Sequence, residues 1–372
     1  MRVLVLDAEQ KSALASIRSL GRHGVEALAG TTRRIARGSV SRYANGRVHL
    51  ASPDDSATFV DSVLTAVHEH EVDVVLPIGD ASNRVLSQHK AVVAPHTAIP
   101  VADWASMQVA CCKARTLEFA RRVGIPAPRT FADKRHVDAY PVVVKRRLGA
   151  GGVQYVNTAQ ELAAVDASDA VIQEYIPGSG YGFFALFEHG VPRATFMHRR
   201  IREYPVTGGA STAAESYLDE ELRAIGSRLL EALDWHGVAM VEFRKDHRDG
   251  SYRLIEVNPK FWGSLDLAIA SGVDFPWLAV QMASRGLEDE APRPFTVGLR
   301  FQWVFDDMLH VAARPRSARA FVRDMRRART DVSLRDPAPA AYDLARAIAG
   351  IGMRAAQGKL SRPHGYVTSA KC

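Results

Sequence analysis

Two glutamates in neighbouring strand-like segments, Glu242 and Glu256, carry the clearest chemical signal in the sequence. The Asp249-Gly250 pair between the segments is typical of the turn of a β-hairpin. A hairpin symmetric about Asp249 places the two carboxylates opposite each other, where they repel and lose hydration. Asn258 lies two residues beyond Glu256 and therefore faces the same side of the strand. Two carboxylates and an amide oxygen are typical protein ligands of a Mg²⁺ that also binds water and nucleotide phosphate. The pattern predicts such a metal site, and the alternative is a surface hairpin with solvated glutamates.

Two lysines lie where a bound anion would stabilise them. Lys145 ends an apolar strand-like run, in which an ammonium group is costly without an anionic partner. Lys113 lies at the start of a predicted helix, where its charge opposes the helix dipole unless an anion binds nearby. The loop after Lys145 contains Gly149, Gly151 and Gly152, which would let backbone amides approach a phosphate closely. The alternatives are a solvated helix residue for Lys113 and a flexible hairpin turn for the loop.

Strand-like and helix-like segments alternate over about the first hundred residues. Strands are predicted at 2–7, 25–29 and 72–77, and helices at 12–22 and 56–70. This alternation predicts a small parallel α/β sheet. Long antiparallel patterns follow at 183–202 and 237–258. No Gly-x-Gly-x-x-Gly motif follows the first strand, which argues against dinucleotide binding.

Taken in chain order, these features resemble the ATP-grasp superfamily over about residues 113–285. The resemblance rests on Lys113, Lys145, the glycine loop, Gln173-Glu174-Tyr175-Ile176, Glu242 and Glu256-Val257-Asn258. The loop at 202–211 and Asp336-Pro337-Ala338-Pro339 further resemble a branch described as predicted carboxylate–amine ligases. The resemblance implies an α/β (α+β) fold in three parts. These are an N-terminal parallel α/β domain at 1–105, a split ATP-grasp module at 106–304 and a helical C-terminal extension at 305–372.

The resemblance also implies roles at the nucleotide end of a site. Lys113, Lys145 and the glycine loop would bind the phosphates of ATP. The segment of Gln173, Glu174, Tyr175 and Ile176 would be the interdomain hinge that holds adenine. Family members often have an acidic residue soon afterwards for the ribose, but the corresponding stretch at 178–182 contains no carboxylate. The metal ligands would be Glu242, Glu256 and Asn258.

For the reacting groups, the resemblance implies three catalytic residues, which are Arg202, Lys260 and Asn258. Arg202 and Lys260 would hold an acyl phosphate and the tetrahedral oxyanion. Lys260 replaces an arginine found in many relatives, so it acts as a point charge without the bidentate fork. Arg199 and Arg200 rank below Arg202 because they are equally compatible with exposed strand positions. The loop at 207–212 offers amides and hydroxyls for a substrate carboxylate, or it is a plain turn.

The activity implied by the resemblance is an ATP-dependent, ADP-forming carboxylate–amine ligase. ATP would phosphorylate a carboxylate, and an amine, such as that of an amino acid, would attack the acyl phosphate. The cofactors would be ATP and Mg²⁺, for which Mn²⁺ could substitute. Ligation to a thiol, carboxylation and a non-catalytic ATP-binding regulatory module are the alternatives. The presence of Glu242, Glu256 and Asn258 favours catalysis.

The composition indicates the class of protein and its expected cellular location. The chain has 372 residues, 47% hydrophobic and 24% charged, as expected for a soluble globular protein of two or three domains. Three cysteines give no disulfide framework, and neither a signal peptide nor a membrane-spanning run is predicted. We therefore expect a cytoplasmic protein with small-molecule partners and no integral membrane association. The sequence leaves the oligomeric state open, with a homodimer as one candidate.

The net charge of +7 is concentrated in one segment. Residues 314–329 contain seven arginines and one acid, Asp324. Within them Phe321, Val322, Met325 and Ala328 recur at helical spacing, which predicts an amphipathic basic helix. Such a helix could cover a core and expose its arginines to solvent, contact acidic lipid or neutralise an acidic substrate. We favour the solvated face, and because no nucleic-acid-binding motif accompanies the charge, we expect no nucleic-acid partner.

Overall fold

The computed structural model describes residues 1–149, 153–206, 208–287 and 294–357. The chain begins with a four-stranded parallel sheet in the order β3-β2-β1-β4. Its strands are β1 (Arg2–Val5), β2 (Glu26–Thr31), β3 (Ala44–His49) and β4 (Val74–Leu76). Its helices are α1 (Lys11–Arg22), α2 (Ser56–Glu69), α3 (Asp80–Gln88) and α4 (Lys90–Val93). Both faces of β1 are buried, as parallel strands with continuous apolar runs require. The predicted parallel α/β fold is confirmed.

A small antiparallel sheet follows, in the order β5-β8-β6-β7. Its strands are β5 (Thr130–Phe131), β6 (Val142–Arg146), β7 (Gln154–Val156) and β8 (Ala170–Glu174). The accompanying helices are α5 (Trp104–Cys111), α6 (Lys113–Arg122) and α7 (Ala159–Ala164). One face of this sheet packs its valines and isoleucine into a core of its own. The hairpin of β6 and β7 contains the glycine loop.

A larger, mostly antiparallel sheet has the order β13-β12-β9-β10-β11-β14-β15. Its strands are β9 (Gly178–Glu188), β10 (Val191–Tyr204), β11 (Ala210–Ser216), β12 (Gly237–Asp246), β13 (Tyr252–Asn258), β14 (Arg300–Gln302) and β15 (Arg329–Thr330). Alternation along β9 divides its buried side chains between two cores. Phe184 and Leu186 join the core shared with α1 and the N-terminal sheet, whereas Phe183 and Phe187 join the core on the opposite face. The sheet thus packs against a hydrophobic core on each of its two faces.

The remaining helices are α8 (Glu220–Ala232), α9 (Leu265–Ala270), α10 (Phe275–Arg285), α11 (Val304–Ala313), α12 (Ala318–Arg327) and α13 (Pro337–Ala356). The predicted basic helix corresponds to α12, but two of the four apolar residues of its predicted face are exposed. Val322 and Met325 are 47% and 50% exposed, and the buried residue of the helix is Asp324. None of the described helices has both the length and the apolar character needed to cross a membrane.

Candidate active site

A cavity of about 680 Å³ lies between the small sheet and the larger one. Most residues predicted from the sequence line it, namely Lys113, Lys145, Gln173, Glu174, Tyr175, Ile176, Arg202, Glu242, Glu256, Asn258 and Lys260. Gly149 adjoins it through its carbonyl group, which accepts a hydrogen bond from Lys113. Gly151 and Gly152 lie outside the described residues. The topology therefore brings together side chains that are up to 147 residues apart in the sequence, from Lys113 to Lys260.

The two glutamates face each other across the hairpin of β12 and β13. Glu242 pairs with Glu256 and Met240 pairs with Asn258, so the predicted opposition of the two glutamates is confirmed. The hairpin is not symmetric about Asp249 throughout, because the register shifts between Glu242 and Phe243. Asn258 Nδ2 donates to Glu256 Oε1 at 3.0 Å, which holds the amide beside the carboxylates. The pair is an oxygen-rich donor set at the wall of the cavity.

Each glutamate has a cation beside it. Glu256 Oε2 lies 3.3 Å from Lys113 Nζ, and Glu242 Oε2 lies 2.7 Å from Arg200 Nη2. Burial raises the pKa of Glu256, but the charges of Lys113 and Lys145 outweigh burial and lower that pKa overall. Glu256 is therefore held as a carboxylate, the state that a metal ligand requires.

The donor set fits a hard divalent cation. Carboxylate and amide oxygens suit Mg²⁺, which keeps water or phosphate oxygens in its other positions. Across the described ranges, no group of three or more His, Cys, Asp or Glu side chains could hold a metal. A metal at this place would thus be held by Glu242, Glu256 and Asn258 together with ligands from outside the protein.

Lys145 and Lys113 approach the glutamates from the small sheet and from α6. Lys145, predicted to end its strand, is the penultimate residue of β6, which continues to Arg146, and it is 9% exposed. Burial lowers the pKa of Lys145, while Glu256 and Glu242 partly restore it. Lys113 is the first residue of α6, as predicted, and its Nζ donates to the Gly149 carbonyl at 2.7 Å. Gly149 has a φ of +74°, a left-handed conformation that favours glycine. Lys113 thus contacts both Gly149 of the glycine loop and Glu256 of the glutamate pair.

The predicted hinge runs from the end of β8 into β9. The Glu174 side chain accepts a hydrogen bond from the Arg129 N–H at 3.0 Å and lies 3.3 Å from the Arg248 guanidinium. Its backbone N–H donates to the Arg129 carbonyl. In the described part of the chain, the Ile176 N–H has no hydrogen-bond acceptor, which leaves a donor available at the cavity wall. These features are compatible with the predicted adenine-binding role.

Arg202 lines the cavity, but its guanidinium is engaged by two carboxylates. Its guanidinium is 6% exposed and is bound by Asp307 at 2.8 Å and Asp324 at 2.7 Å, so its charge is neutralised by α11 and α12. A β-bulge between Arg200 and Arg202 shifts the register of β10 against β11. Arg200, which the sequence ranked lower, points to Glu242 instead. Arg200 is therefore the better placed cation beside the glutamate pair.

Lys260 lines the cavity, and the structure shows no ion pair between it and any other described residue. The loop predicted at 207–212 also borders the cavity through Gly208, Gly209, Ala210 and Ser211, whereas Thr207 lies outside the described residues. Gly208 has a φ of +120°. A Cβ atom on Gly209 would lie 2.2 Å from the backbone of Tyr204, so this turn requires glycine there.

The cavity lining also includes residues that were not predicted, among them Tyr155, Glu203 and Arg244. Arg244 lies two residues beyond Glu242 and so faces the same side of β12, which is a signal that the sequence contains. Its guanidinium lies over the Tyr175 ring, 5.5 Å from the centroid, and donates to the Gly178 carbonyl. Glu203 follows the bulge in β10, which no local pattern indicates.

Comparisons with known proteins agree with this geometry. Residues 166–306 match the family described as "ATP-grasp in the biosynthetic pathway with Ter operon". A D-aspartate ligase of Enterococcus faecium (strain Aus0004) is 21% identical over 248 residues, which are 55% of this chain. The match spans 58% of that ligase, less than two thirds of its length.

Solved structures share the fold. The L-amino acid ligase from Bacillus licheniformis superposes with a TM-score of 0.62 at 19% identity, covering 77% of this chain and 75% of that one. Biotin carboxylase from Campylobacter jejuni gives a TM-score of 0.65 at 15% identity, covering 80% and 74%. The sequence-based prediction of the superfamily is confirmed. Residues 166–306 of the chain are thus similar to an ATP-grasp family in sequence, and the chain shares its fold with solved ligase and carboxylase structures.

Proposed function

We propose that the protein is an ATP-dependent, ADP-forming ligase that joins a carboxylate to an amine through an acyl phosphate. The observation that carries this proposal is the opposed pair of Glu242 and Glu256, with Lys113 and Lys145 directed at it from a second structural unit. Such an arrangement suits transfer of a phosphoryl group, which requires positioning and neutralisation of charge. The names D-aspartate ligase and L-amino acid ligase support amino-acid-like substrates.

The proposed role of each residue follows from its position in the cavity. Lys113, Lys145 and the glycine hairpin bind the polyphosphate, and the hinge around Glu174 holds the base. Glu242, Glu256 and Asn258 hold Mg²⁺, which when bound neutralises charge on the phosphates. Arg200 and Lys260 face the carboxylate that receives the phosphoryl group and stabilise the oxyanion that forms when the amine attacks. Arg202 supports them by fixing the end of β10 to α11 and α12.

Isotope transfer tests the order of these steps. The wild-type protein is incubated with ATP, Mg²⁺ and a panel of carboxylic acids labelled with oxygen-18, with and without amines. We expect ADP and, in the presence of hydroxylamine, a hydroxamate for the cognate acid. We also expect one labelled oxygen in the released phosphate. Ligation without that labelled oxygen would rule out the acyl phosphate, and a product formed with a thiol or bicarbonate would identify one of the alternative activities. ATP binding without turnover on any acid would favour a regulatory module.

A further inference from the structure

The carboxylates that line the cavity divide into those with an assigned role and one without. Among the described lining residues these carboxylates belong to Glu174, Glu203, Glu242 and Glu256. Glu174 is engaged in the hinge, and Glu242 and Glu256 form the opposed pair. Glu203 has no assigned role. It lies next to the predicted substrate loop, near the end of β10 and two residues before Pro205.

Glu203 is fixed in place by its backbone. Nδ1 of His310, on α11, donates to the Glu203 carbonyl at 2.7 Å, and in the sheet register Glu203 pairs with Ser211. Its side chain is 29% exposed and approaches Arg200 at 3.5 Å. Tyr155 and Arg244 line the same cavity as Glu203. The carboxylate is therefore held at the wall of the cavity between the glutamate pair and the loop.

Pairing with Arg200 alone does not account for this carboxylate. Arg200 already has a shorter contact, 2.7 Å, with Glu242. When a phosphoryl group arrives, its negative charge competes for Arg200 and loosens the longer contact to Glu203. Once that contact is loosened, a partly buried carboxylate favours a positively charged ligand. Burial also raises the pKa of Glu203, although Arg200 and Arg244 counteract it, so this carboxylate accepts a proton more readily than an ordinary glutamate.

We propose that Glu203 binds the acceptor amine as an ammonium ion and accepts the proton that the amine must lose before it attacks. This inference rests on the proposed ligase function and specifies the charge state of its acceptor. The ammonium transfers one proton to Glu203 and becomes a neutral amine with a free electron pair. Its nitrogen forms a bond to the carbonyl carbon of the acyl phosphate. The carbon–oxygen bond to the phosphate breaks, phosphate leaves with that electron pair, and the second proton passes from nitrogen to phosphate.

Two amines of different charge test the proposal. Hydroxylamine is uncharged at neutral pH and needs no base, whereas methylamine is present as methylammonium. The wild type, Glu203→Gln, Glu203→Asp and a control, Glu215→Gln, are given ATP, Mg²⁺, the cognate acid and each amine at high concentration. Glu215 also pairs with two arginines, Arg199 and Arg300, but it does not line the cavity. Thermal unfolding checks that every variant is folded.

We expect Glu203→Gln to form hydroxamate at close to the wild-type rate and to lose at least about tenfold of its methylamide formation, as for loss of a general base. Glu203→Asp should recover part of that loss, and Glu215→Gln should match the wild type. An unchanged ratio of methylamide to hydroxamate in Glu203→Gln would overturn the role of Glu203 while leaving the ligase proposal intact. Hydroxamate without any methylamide in the wild type would also overturn it. Absence of both products and of ADP in the wild type would overturn the ligase proposal, and this inference with it.

Discussion

At the proposed nucleotide end of the cavity, the charged side chains come from a hairpin, a strand end and a helix start. At the acceptor end, Arg200 and Glu203 lie on one strand, β10, whose course depends on distant helices. Glu242 and Glu256 are opposed by the register of a single hairpin. Arg202, by contrast, is held by Asp307, which is 105 residues away in the sequence. Local geometry thus builds one end, and long-range ion pairs build the other.

The difference has a physical basis. Strand alternation and a tight turn determine which residues of a hairpin share a face, without help from the rest of the chain. Both ends contain a register shift. The shift between Glu242 and Phe243 leaves the two glutamates opposed, whereas the shift in β10 separates Arg200 from Arg202, whose carboxylate partners lie far away in the sequence. We therefore expect substitutions at the nucleotide end to lower turnover. Substitutions at the acceptor end should first lower the free energy of unfolding.

The largest effect should follow from Arg202→Met. It leaves Asp307 and Asp324 buried without their shared cation, at a cost of about 3–5 kcal/mol in the free energy of unfolding. Urea denaturation measures this cost. The control is Arg199→Met, whose side chain is 45% exposed and whose ion pair should contribute at most about 1 kcal/mol. Similar losses in the two variants would contradict a structural role for Arg202.

A purely chemical loss is expected for Glu256→Gln. The variant removes one anionic ligand of the predicted metal, which should lower Mg²⁺-dependent ADP formation by about 100-fold or more. Its unfolding free energy should stay closer to the wild type than that of Arg202→Met. Turnover is measured over a Mg²⁺ titration, with Glu215→Gln as the control. Full activity at saturating Mg²⁺ would remove Glu256 from the metal site.

Gly209→Ala should damage only the acceptor end. The new Cβ would lie 2.2 Å from backbone atoms of Tyr204 and Pro205, so the turn must shift, at a cost of about 1–3 kcal/mol. We expect a higher KM for the acid and amine and an unchanged affinity for ATP, both from steady-state kinetics and nucleotide titration. Gly352→Ala on α13, where a Cβ meets no atom within 4 Å, is the matched control. A change in ATP affinity alone would place this turn at the wrong end.

The smallest effect is expected on α12. Replacement of Arg319 and Arg326 by glutamine should change the unfolding free energy by less than about 0.5 kcal/mol, because both side chains are exposed and lack ion pairs with other described residues. Asp324→Asn on the same helix should be much more damaging, since it removes a buried partner of Arg202. Equal effects of the two changes in urea denaturation would show that the arginines are structural.

These contrasts show which features of the structure could be predicted from the sequence. The helix-start position of Lys113 and the opposition of Glu242 and Glu256 agree with the local patterns, and Lys145 lies one residue before the end of its strand. That Arg202 binds Asp307 and Asp324 while Arg200 binds Glu242 could not be predicted, because alternation along β10 fails at the bulge. The amphipathic pattern of α12 correctly predicted a helix. It did not predict that Asp324 would be buried and Val322 exposed, because an ion pair with Arg202 determines which side faces inward.

The ion pairs around the glutamates have a consequence for how ligands are attracted. Lys113 and Arg200 each contact a carboxylate, and Lys145 is stabilised by the same two glutamates. The protein thus supplies counterions for most of this charge, because these three cations and two carboxylates leave a net charge of only +1. A polyphosphate would enter by exchange, replacing internal partners of the cations. Because screening by salt acts mainly on net and exposed charge, nucleotide affinity should depend on ionic strength far less than the number of cations in the cavity suggests.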